Sequence, residues 1–492
     1  MKYLPSPLSF SQERIFLIDS FLADNLDVRI YNVPVIINLL GELEVSKLND
    51  AINLVINRHS VLRSTIKISD SGDLYQEIKG EFKYKLVIQD ISSVRVEEKQ
   101  KTKKKLISRQ INHRFKLASS DPLFTLSLMC LNKNEYTLIL VFHHIIMDEW
   151  SIDIFFRELE EFYNYLIEKK KLYNNLTQTQ FDQYCKLQKE RFESNYFAGK
   201  VEYWDKKLGI IPDYESNLRL PNVQKVSDSG FYQIRVDHIT VTKIENFCSE
   251  NTVTLFMFLI ALYFILLNRI TKLKDIYVAT PVANRMEQKS EKIIGCFVST
   301  IVIHSQIEDE MKFSEVLENV KFDFIDSFDN QDAPIHLTPS INDKRCIVSQ
   351  LQNFVFELKT KNKYTINLNN LNSSYYSFSD FSDQSDSQDE SAKNDILLEL
   401  EYQIDTHGSK FAKEFMNDFY KLLTVVLSDS SIKIRDLFNN LNSNPENTYS
   451  NICHSVKTKQ DIREKTDQKL SISSVERMIK RLNNTLKLSV KY

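Results

Sequence analysis

One stretch of the chain joins a strand, a polar turn and a helix without a break. Residues 136–142 are an apolar run whose length and composition predict a buried strand. Apolar residues then recur at helical spacing from Ile152 to Leu166, and the Ser151 hydroxyl is placed to cap the first turn of that helix. The letters at residues 143–149 read HHIIMDE. Because packed elements hold such a turn from both sides, it can fix polar groups over a cavity.

The two histidines and the aspartate of this turn indicate proton transfer. Imidazole titrates near neutrality without help, which suits a general base or a group that positions an amine. Neighbouring side chains of a strand point in opposite directions, so if His144 faces the cavity, His143 faces the packing behind it. Asp148 is placed to brace the turn. The alternative interpretation is structural: two histidines in the core and an Asp that begins the helix. A zinc site is disfavoured, because no third His or Cys stands at the spacing of zinc ligands.

Composition limits the classes of protein to consider. A chain of 492 residues predicts two lobes and a tail, and a net charge of −3 offers no general basic patch for nucleic acid. Six scattered cysteines and the lack of a signal peptide predict a reducing compartment, the cytoplasm. Residues 253–267 are strongly apolar but short for a membrane span, which favours a buried helix over a membrane anchor.

His143-His144-x-x-x-Asp148 followed by Trp150-Ser151 resembles the active-site motif of condensation domains from nonribosomal peptide synthetases. Glu149 stands where that family usually has Gly, and Ser299 where it usually has Asn. Other motifs of the family follow in its order, in clear or eroded form: PLSFSQERIF at 7–16, RHSVLRST at 58–65, LRLP at 218–221, IGCFVST at 294–300 and NQDAP at 330–334. The opening motif is similar to that of the subgroup that accepts an L-configured donor residue.

The resemblance implies an α/β fold, built of α+β two-layer sandwich lobes. Two lobes, each similar to chloramphenicol acetyltransferase, would form a pseudodimer in a V with a tunnel at their junction. We expect an N-terminal lobe at residues 1–175, a C-terminal lobe at 176–437 and a flexible tail at 438–492. Residues 174–177 are a candidate hinge, and residues 371–391 predict a flexible acidic loop.

The resemblance also implies an acyltransferase that forms an amide, with His144, His143 and Asp148 as the catalytic set. No carrier-protein sequence is present, so we expect donor and acceptor carrier proteins in trans, each loaded with a phosphopantetheine arm. The enzyme would act as a stand-alone condensation enzyme and would bind no cofactor of its own. Neither a metal nor a nucleotide is needed for this reaction.

Further residues are expected to support or line the site. The resemblance suggests that Arg63 pairs with Asp148, with Arg285 as the second choice and Ser151 as structural support. In a chain with eight glycines, Gly295 indicates a backbone position that no side chain fits. Candidates for lining the tunnel are Glu149, Trp150, Gly295, Ser299 and Asn284. Glu149 would either face solvent, narrow the tunnel, or act on the acceptor amine or the pKa of His144.

Three other functions are open. The first is an acyltransferase of the same fold that uses a soluble thioester or a small-molecule acceptor. The second is an epimerization domain, which shares the histidine motif but usually adjoins a carrier. The third is a catalytically degenerate interaction protein; the cyclization variant is excluded, since it replaces the histidines with Asp. In the tail, Ser473 begins a capping box followed by a short basic amphipathic helix, which would dock a partner, touch a membrane surface or fold back on the lobes.

Overall fold

The computed structural model describes residues 3–25, 31–168, 179–211, 229–338, 354–358, 366–376, 396–403, 408–439 and 441. The predicted hinge at 174–177, the LRLP motif at 218–221 and the predicted tail helix after Ser473 lie outside these residues.

The first lobe is built on a five-stranded sheet. Its elements in chain order are β1 (Tyr3–Pro7), α1 (Phe10–Asn25), β2 (Asn32–Gly41), α2 (Val45–Arg58), β3 (Ser64–Ile68), β4 (Leu74–Lys79), β5 (Val87–Asp90), α3 (Val96–Ile111), β6 (Phe124–Asn132), β7 (Glu135–His143) and α4 (Glu149–Glu168). A later strand, β11 (Leu371–Tyr375), completes the sheet in the order β11-β2-β7-β6-β5. β1, β4 and β3 form a separate antiparallel sheet. β6 and β7 form an antiparallel hairpin, and β7 confirms the strand predicted at residues 136–142.

Burial explains why β7, the strand before the histidine turn, lies at the centre of this lobe. Residues 137–143 of β7 are all buried, because the strand has neighbours on both edges and helices over its surface. Helix α2 supplies an apolar stripe that is almost entirely excluded from solvent, as its periodicity predicts. The stripe consists of Leu48, Ala51, Ile52, Val55 and Ile56. The packing around β7 therefore fixes the position of the backbone at the start of the turn that follows it.

The second lobe surrounds one apolar helix. Its elements are α5 (Phe181–Glu193), α6 (Ala198–Gly209), β8 (Ser229–Val236), α7 (His238–Glu250), α8 (Leu255–Thr271), β9 (Asp275–Val282), β10 (Ser299–Gln306), α9 (Phe313–Asp329), β12 (Ile396–Gln403), α10 (Gly408–Ser428) and α11 (Ile434–Asn439). β9 pairs with β10 and β8 with β12, both antiparallel. Helix α8 is capped by the Thr254 hydroxyl and ends at Lys272, whose φ is +59°. Most of α8 is buried, which confirms the predicted buried helix.

The two lobes exchange segments. β11 comes from the second half of the chain yet pairs with β2 of the first lobe, and Phe181 and Ile294 pack in the core of the first lobe. Phe10, from α1, packs in the core of the second. The loop predicted over 371–391 is therefore wrong at its start, where β11 forms, and residues 377–391 lie outside the described residues.

No single helix within the described residues is long and apolar enough to cross a membrane. The bent pair α7 and α8 passes that test of length and composition together. The apolar residues of α8 instead fill the core of the second lobe.

Candidate active site

The turn between β7 and α4 is held by hydrogen bonds from three directions. The His143 amide donates to the carbonyl of Leu123 at 2.8 Å, and the His144 amide donates to the carbonyl of Tyr31 at 2.7 Å. From the other side, Gln12 Nε2 donates to the carbonyl of Ile145 at 3.1 Å. Gln12 belongs to the first family motif, so that motif contacts the histidine turn directly.

His143 faces the packing behind the turn, as expected. It is buried, and its ring lies 6.0 Å from the ring of Tyr31 and 5.9 Å from that of Phe115. Its Nδ1 accepts a hydrogen bond from the Ile145 amide at 3.2 Å. An Nδ1 that accepts leaves the proton on Nε2, which lies 3.6 Å from the Asp19 carboxylate. His143 is thereby fixed in one tautomer.

His144 is half-buried and behaves differently. Burial lowers the pKa of its imidazole below the ordinary 6.5, and the positive charge of Arg14 acts in the same direction, while Asp148 partly opposes the shift. The ring is therefore neutral at pH 7 and able to accept a proton. Its Nδ1 lies 3.9 Å from the sulphur of Cys296. No described residue forms a hydrogen bond to Nε2, which leaves that nitrogen available to a substrate.

Asp148 caps the helix that follows the turn. Its carboxylate accepts the Ser151 amide at 2.8 Å and the Ser151 hydroxyl at 2.5 Å, and on the other side the Phe297 amide at 3.1 Å. Since α4 begins at Glu149, Asp148 occupies the N-cap position and Ser151 the third helical position. The prediction that Ser151 caps the helix is therefore wrong. The cap is Asp148, one turn earlier, whose carboxylate accepts the hydrogen bond from the Ser151 amide.

Arg285 is the partner of Asp148. Its Nη2 donates to both carboxylate oxygens, at 2.9 and 3.0 Å, and to the Ser151 hydroxyl at 2.9 Å. Only 2% of the Arg285 side chain and 6% of the Asp148 side chain are exposed, so each charge needs the other. The guanidinium also lies 4.1 Å from the centre of the Phe297 ring.

The expected pair between Arg63 and Asp148 is wrong. The Arg63 guanidinium donates to four backbone carbonyls, those of Ile56, Asn57, Lys79 and Gly80. Two of these carbonyls belong to the last turn of α2, where no intrahelical donor is available. Arg63 therefore closes the end of a helix and joins it to the segment after β4.

Gly295 brings the second lobe against the turn. Its amide donates to the Ser151 hydroxyl at 3.0 Å, and its carbonyl lies 2.9 Å from the same oxygen. A Cβ atom at Gly295 would stand 2.1 Å from Cδ2 of Phe181, far inside van der Waals contact. The expectation that no side chain fits at this position is confirmed.

The remaining candidates differ in their surroundings. Glu149 is exposed at the start of α4; burial raises the pKa of Tyr375, and the charge of Glu149 adds to that rise. Trp150 is 45% exposed, and its indole donates to the Glu291 carbonyl at 3.0 Å. Asn284 is buried with a φ of +51°, and its amide nitrogen donates to the carbonyl of Phe297 at 3.2 Å.

A small, open cleft lies where α1, α5, β10 and the turn after α9 meet. Among the residues expected to line the tunnel, Ser299 and Asn284 line this cleft, whereas Glu149, Trp150 and Gly295 do not, and neither does His144. The full lining is Phe10, Ser11, Arg14, Gln188, Asn284, Ser299, Thr300, Asp332, Ala333, Pro334, Ile335 and His336. Among all the residues that the structure describes, no group of three His, Cys, Asp or Glu side chains is arranged to hold a metal ion.

Two residues near His144 were not singled out as site residues from the sequence. Arg14 lowers the pKa of His144 and donates to the Thr300 hydroxyl at 2.6 Å, so it connects α1 to β10. Cys296 places its sulphur beside His144. Arg14 lies in the motif at 7–16 and Cys296 in the motif at 294–300. The sequence therefore placed both residues in recognised segments, but it did not indicate that either lies near His144.

Comparison with known proteins places these features in one family. The family model described as Condensation domain matches residues 5–443. Gramicidin S synthase 2 of Brevibacillus brevis is 30% identical over 335 residues, which cover 67% of this chain and 7% of that protein. Bacitracin synthase 1 of Bacillus licheniformis is 29% identical over 342 residues, covering 69% and 6%. The chain thus spans less than a tenth of the length of these curated relatives, 7% and 6%.

Solved structures agree on the fold. The X-domain from teicoplanin biosynthesis has a TM-score of 0.70 at 18% identity, with 87% of this chain and 96% of that chain covered. The first condensation domain of the calcium-dependent antibiotic synthetase, solved with a substrate analogue, has a TM-score of 0.67 at 14% identity, with 88% and 99% covered. These likenesses confirm the two-lobed fold similar to chloramphenicol acetyltransferase.

Proposed function

Since the chain belongs to the condensation-domain family, whose members in nonribosomal peptide synthetases form amide bonds, we propose that it joins a carrier-bound acyl or aminoacyl thioester to an acceptor amine. The observation that carries this proposal is the neutral, half-buried imidazole of His144 on a turn that both lobes brace.

The proposed chemistry uses His144 as the group that moves or orients a proton. The acceptor nitrogen attacks the thioester carbonyl carbon, a C–N bond forms, and the C–S bond breaks. His144 takes the proton that the nitrogen loses and returns it to the departing thiolate. General-base assistance of this kind is worth roughly 10²–10⁴-fold in rate, and holding both reactants in place adds a further gain.

We further propose that the reactants arrive on separate carrier proteins, each through its phosphopantetheine arm, and that the reaction takes place in the cytoplasm. Ser299 and Asn284 would line the path of the arms, because they line the cleft at the junction of α1 and β10. Asp148 would hold the histidine turn in position, and Arg285 and Ser151 would in turn hold the Asp148 carboxylate.

The test is direct. Purified protein is mixed with a donor-loaded and an acceptor-loaded carrier, and amide product is measured by mass spectrometry. We expect product with the native chain and with His113→Ala, an exposed histidine outside the site, and none above background with His144→Ala. No product from the native chain across a panel of loaded carriers would contradict the proposal.

The same assay separates the other functions. Equal rates with a free pantetheine thioester and with a loaded carrier would favour the acyltransferase that uses a soluble thioester. The teicoplanin X-domain has been solved in complex with OxyB, so tight binding of another enzyme without any product would favour an interaction protein. Exchange of the α-hydrogen on a single loaded carrier would favour epimerization.

A further inference from the structure

The cleft between α1 and β10 contains a cation without an acidic partner. Arg14 lines this cleft and is half-buried. Its guanidinium donates to the Thr300 hydroxyl at 2.6 Å and to the Val298 carbonyl at 3.5 Å, and both of these acceptors are neutral. Burial lowers the pKa of the guanidinium, and no Asp or Glu side chain among the described residues forms an ion pair with it. An anion that reaches this guanidinium would therefore stabilise it.

The carboxylates close to Arg14 already have partners of their own. Asp332, which also lines the cleft, pairs with Lys200. Glu13, the neighbour of Arg14 in α1, pairs with Lys189 at 3.7 Å. Within the described part of the chain, these two ion pairs leave the charge of Arg14 without an acidic counterpart.

Two buried polar atoms that line the same cleft also lack a partner. Asn284 is 6% exposed, and its Oδ1 accepts no hydrogen bond from any described residue. Nε2 of His336 is likewise without a described partner. The His336 ring is neutral at pH 7, because burial and the charges of Arg14 and Lys189 lower its pKa to about 3. Since buried polar atoms are nearly always hydrogen-bonded, the free Oδ1 of Asn284 indicates a ligand that carries an N–H group.

Arg14 and Asn284 are close enough to contact one small molecule. Nδ2 of Asn284 donates to the carbonyl of Phe297 at 3.2 Å, and Arg14 donates to the carbonyl of the next residue, Val298. The hydroxyl of Ser11, a third lining residue, donates to the same Val298 carbonyl at 2.8 Å. The cleft therefore offers a cation and a hydrogen-bond acceptor around two neighbouring peptide groups. The matching ligand has a carboxylate and an N–H group close together, as amino acids and their N-acyl derivatives do.

We propose that this cleft is a subsite for a carboxylate that lies near an N–H group, as in an amino acid residue. The carboxylate accepts hydrogen bonds from Arg14, and the N–H group donates to Oδ1 of Asn284. The positive charge of Arg14 also lowers the pKa of His144, so a bound carboxylate, which offsets that charge, should raise it. Binding is measured without any amide product, so this proposal does not depend on the proposed reaction.

NMR titration of histidine-labelled native protein tests the subsite with small probes. N-acetylglycine carries an α-carboxylate, and N-acetylglutamic acid α-amide carries a side-chain carboxylate. N-acetylglycinamide and N-acetylglutaminamide are their neutral counterparts. We expect at least one carboxylate to bind and to raise the pKa of His144, and its neutral counterpart to bind about tenfold more weakly, because hydrogen bonds to a charged group are lost. The probe that binds identifies the source of the carboxylate.

Two variants locate the binding. Arg14→Met should weaken the carboxylate probe about tenfold or more and remove its effect on the pKa of His144. Arg157→Met is the matched control, since Arg157 is an exposed arginine of α4, outside the cleft, and its loss should change neither result. Because the paired probes are compared on the native protein, the test holds whether or not Arg14→Met folds.

Three results would overturn the proposal. The first is that no carboxylate probe binds. The second is that each carboxylate binds only as well as its neutral counterpart, which would show that the charge of Arg14 is not used. The third is an unchanged effect on the pKa of His144 in folded Arg14→Met, which would place the bound carboxylate elsewhere.

Discussion

The most informative single change is Arg285→Met. It keeps a long apolar stem and removes the guanidinium, which donates to the Asp148 carboxylate, the Ser151 hydroxyl and the carbonyls of Ser290 and Ile293. Removing one partner of a buried ion pair costs about 3–5 kcal/mol, because the other charge stays behind without compensation. Asp148 keeps three other donors, from Ser151 and Phe297, so we expect the low end, about 3 kcal/mol.

The assay is urea unfolding of four proteins: the native chain, Arg285→Met, Asp148→Ala and the double variant. Contacting residues show coupling of about 0.5–3 kcal/mol in such cycles. We expect the double variant to lose clearly less than the sum of the single losses, since deleting Asp148 also deletes the stranded charge. Domains of ordinary stability have about 5–15 kcal/mol to lose, so the variants should still fold.

Arg63→Met is the matched control. Arg63 is bonded to carbonyls at the end of α2 and after β4, so its loss and that of Asp148 should add within about 0.5 kcal/mol. Coupling between Arg63 and Asp148, or additive losses for Arg285 and Asp148, would refute this ion-pair network.

Other predictions concern the histidine and the lobe contact. His144→Ala should lower amide formation by roughly 10²–10⁴-fold with an unchanged melting temperature, measured with loaded carriers; a rate above a tenth of native would contradict proton transfer. Because burial lowers the pKa of His144, kcat/KM of the native enzyme should stay level as pH falls to 6.5 and decline only below it, and a decline centred above 6.5 would contradict a neutral base. Gly295→Ala should unfold at lower temperature, since its Cβ meets Phe181, and the same change should cost less in a Phe181→Ala background.

Local sequence patterns predicted the histidine turn. They did not predict the residues that hold the turn in place, because those residues are far away along the chain. The HHxxxD spacing and the flanking strand and helix lie within about 30 residues, where periodicity is informative. Arg285 stands 137 residues from Asp148, and no spacing rule connects two residues that meet only when the lobes close. The resemblance favoured Arg63, which the fold uses at the end of α2 instead.

Strand β11 shows a second limit of sequence reasoning. Leu371–Tyr375 contains Asn and two Ser residues and resembles the acidic stretch that follows it, so composition predicted a loop. An edge strand is held by backbone hydrogen bonds to one neighbour, here β2, and needs little apolar side-chain area. Helix α8, by contrast, was predicted correctly because apolar residues along its whole length leave burial as the stable outcome.

Glu149 is the clearest departure from the family motif. Its surroundings favour a side chain that faces solvent over one that narrows the tunnel or acts on the acceptor amine. The side chain is exposed in the first turn of α4, where a negative charge complements the helix dipole. Burial lowers the pKa of His144, and Glu149 is not among the charges that act on it.

We therefore expect Glu149→Gly to leave amide formation within about threefold of native for short and long donors alike, and to cost about 0.5–1 kcal/mol of stability through the flexible backbone and the lost dipole interaction. Glu149→Gln is the matched control, since it removes the charge and keeps the size. A donor range that broadens only in the glycine variant would mean that the side chain narrows the tunnel. Activity lost in both variants would mean that the carboxylate holds the acceptor amine, because charge is the property that the two changes share.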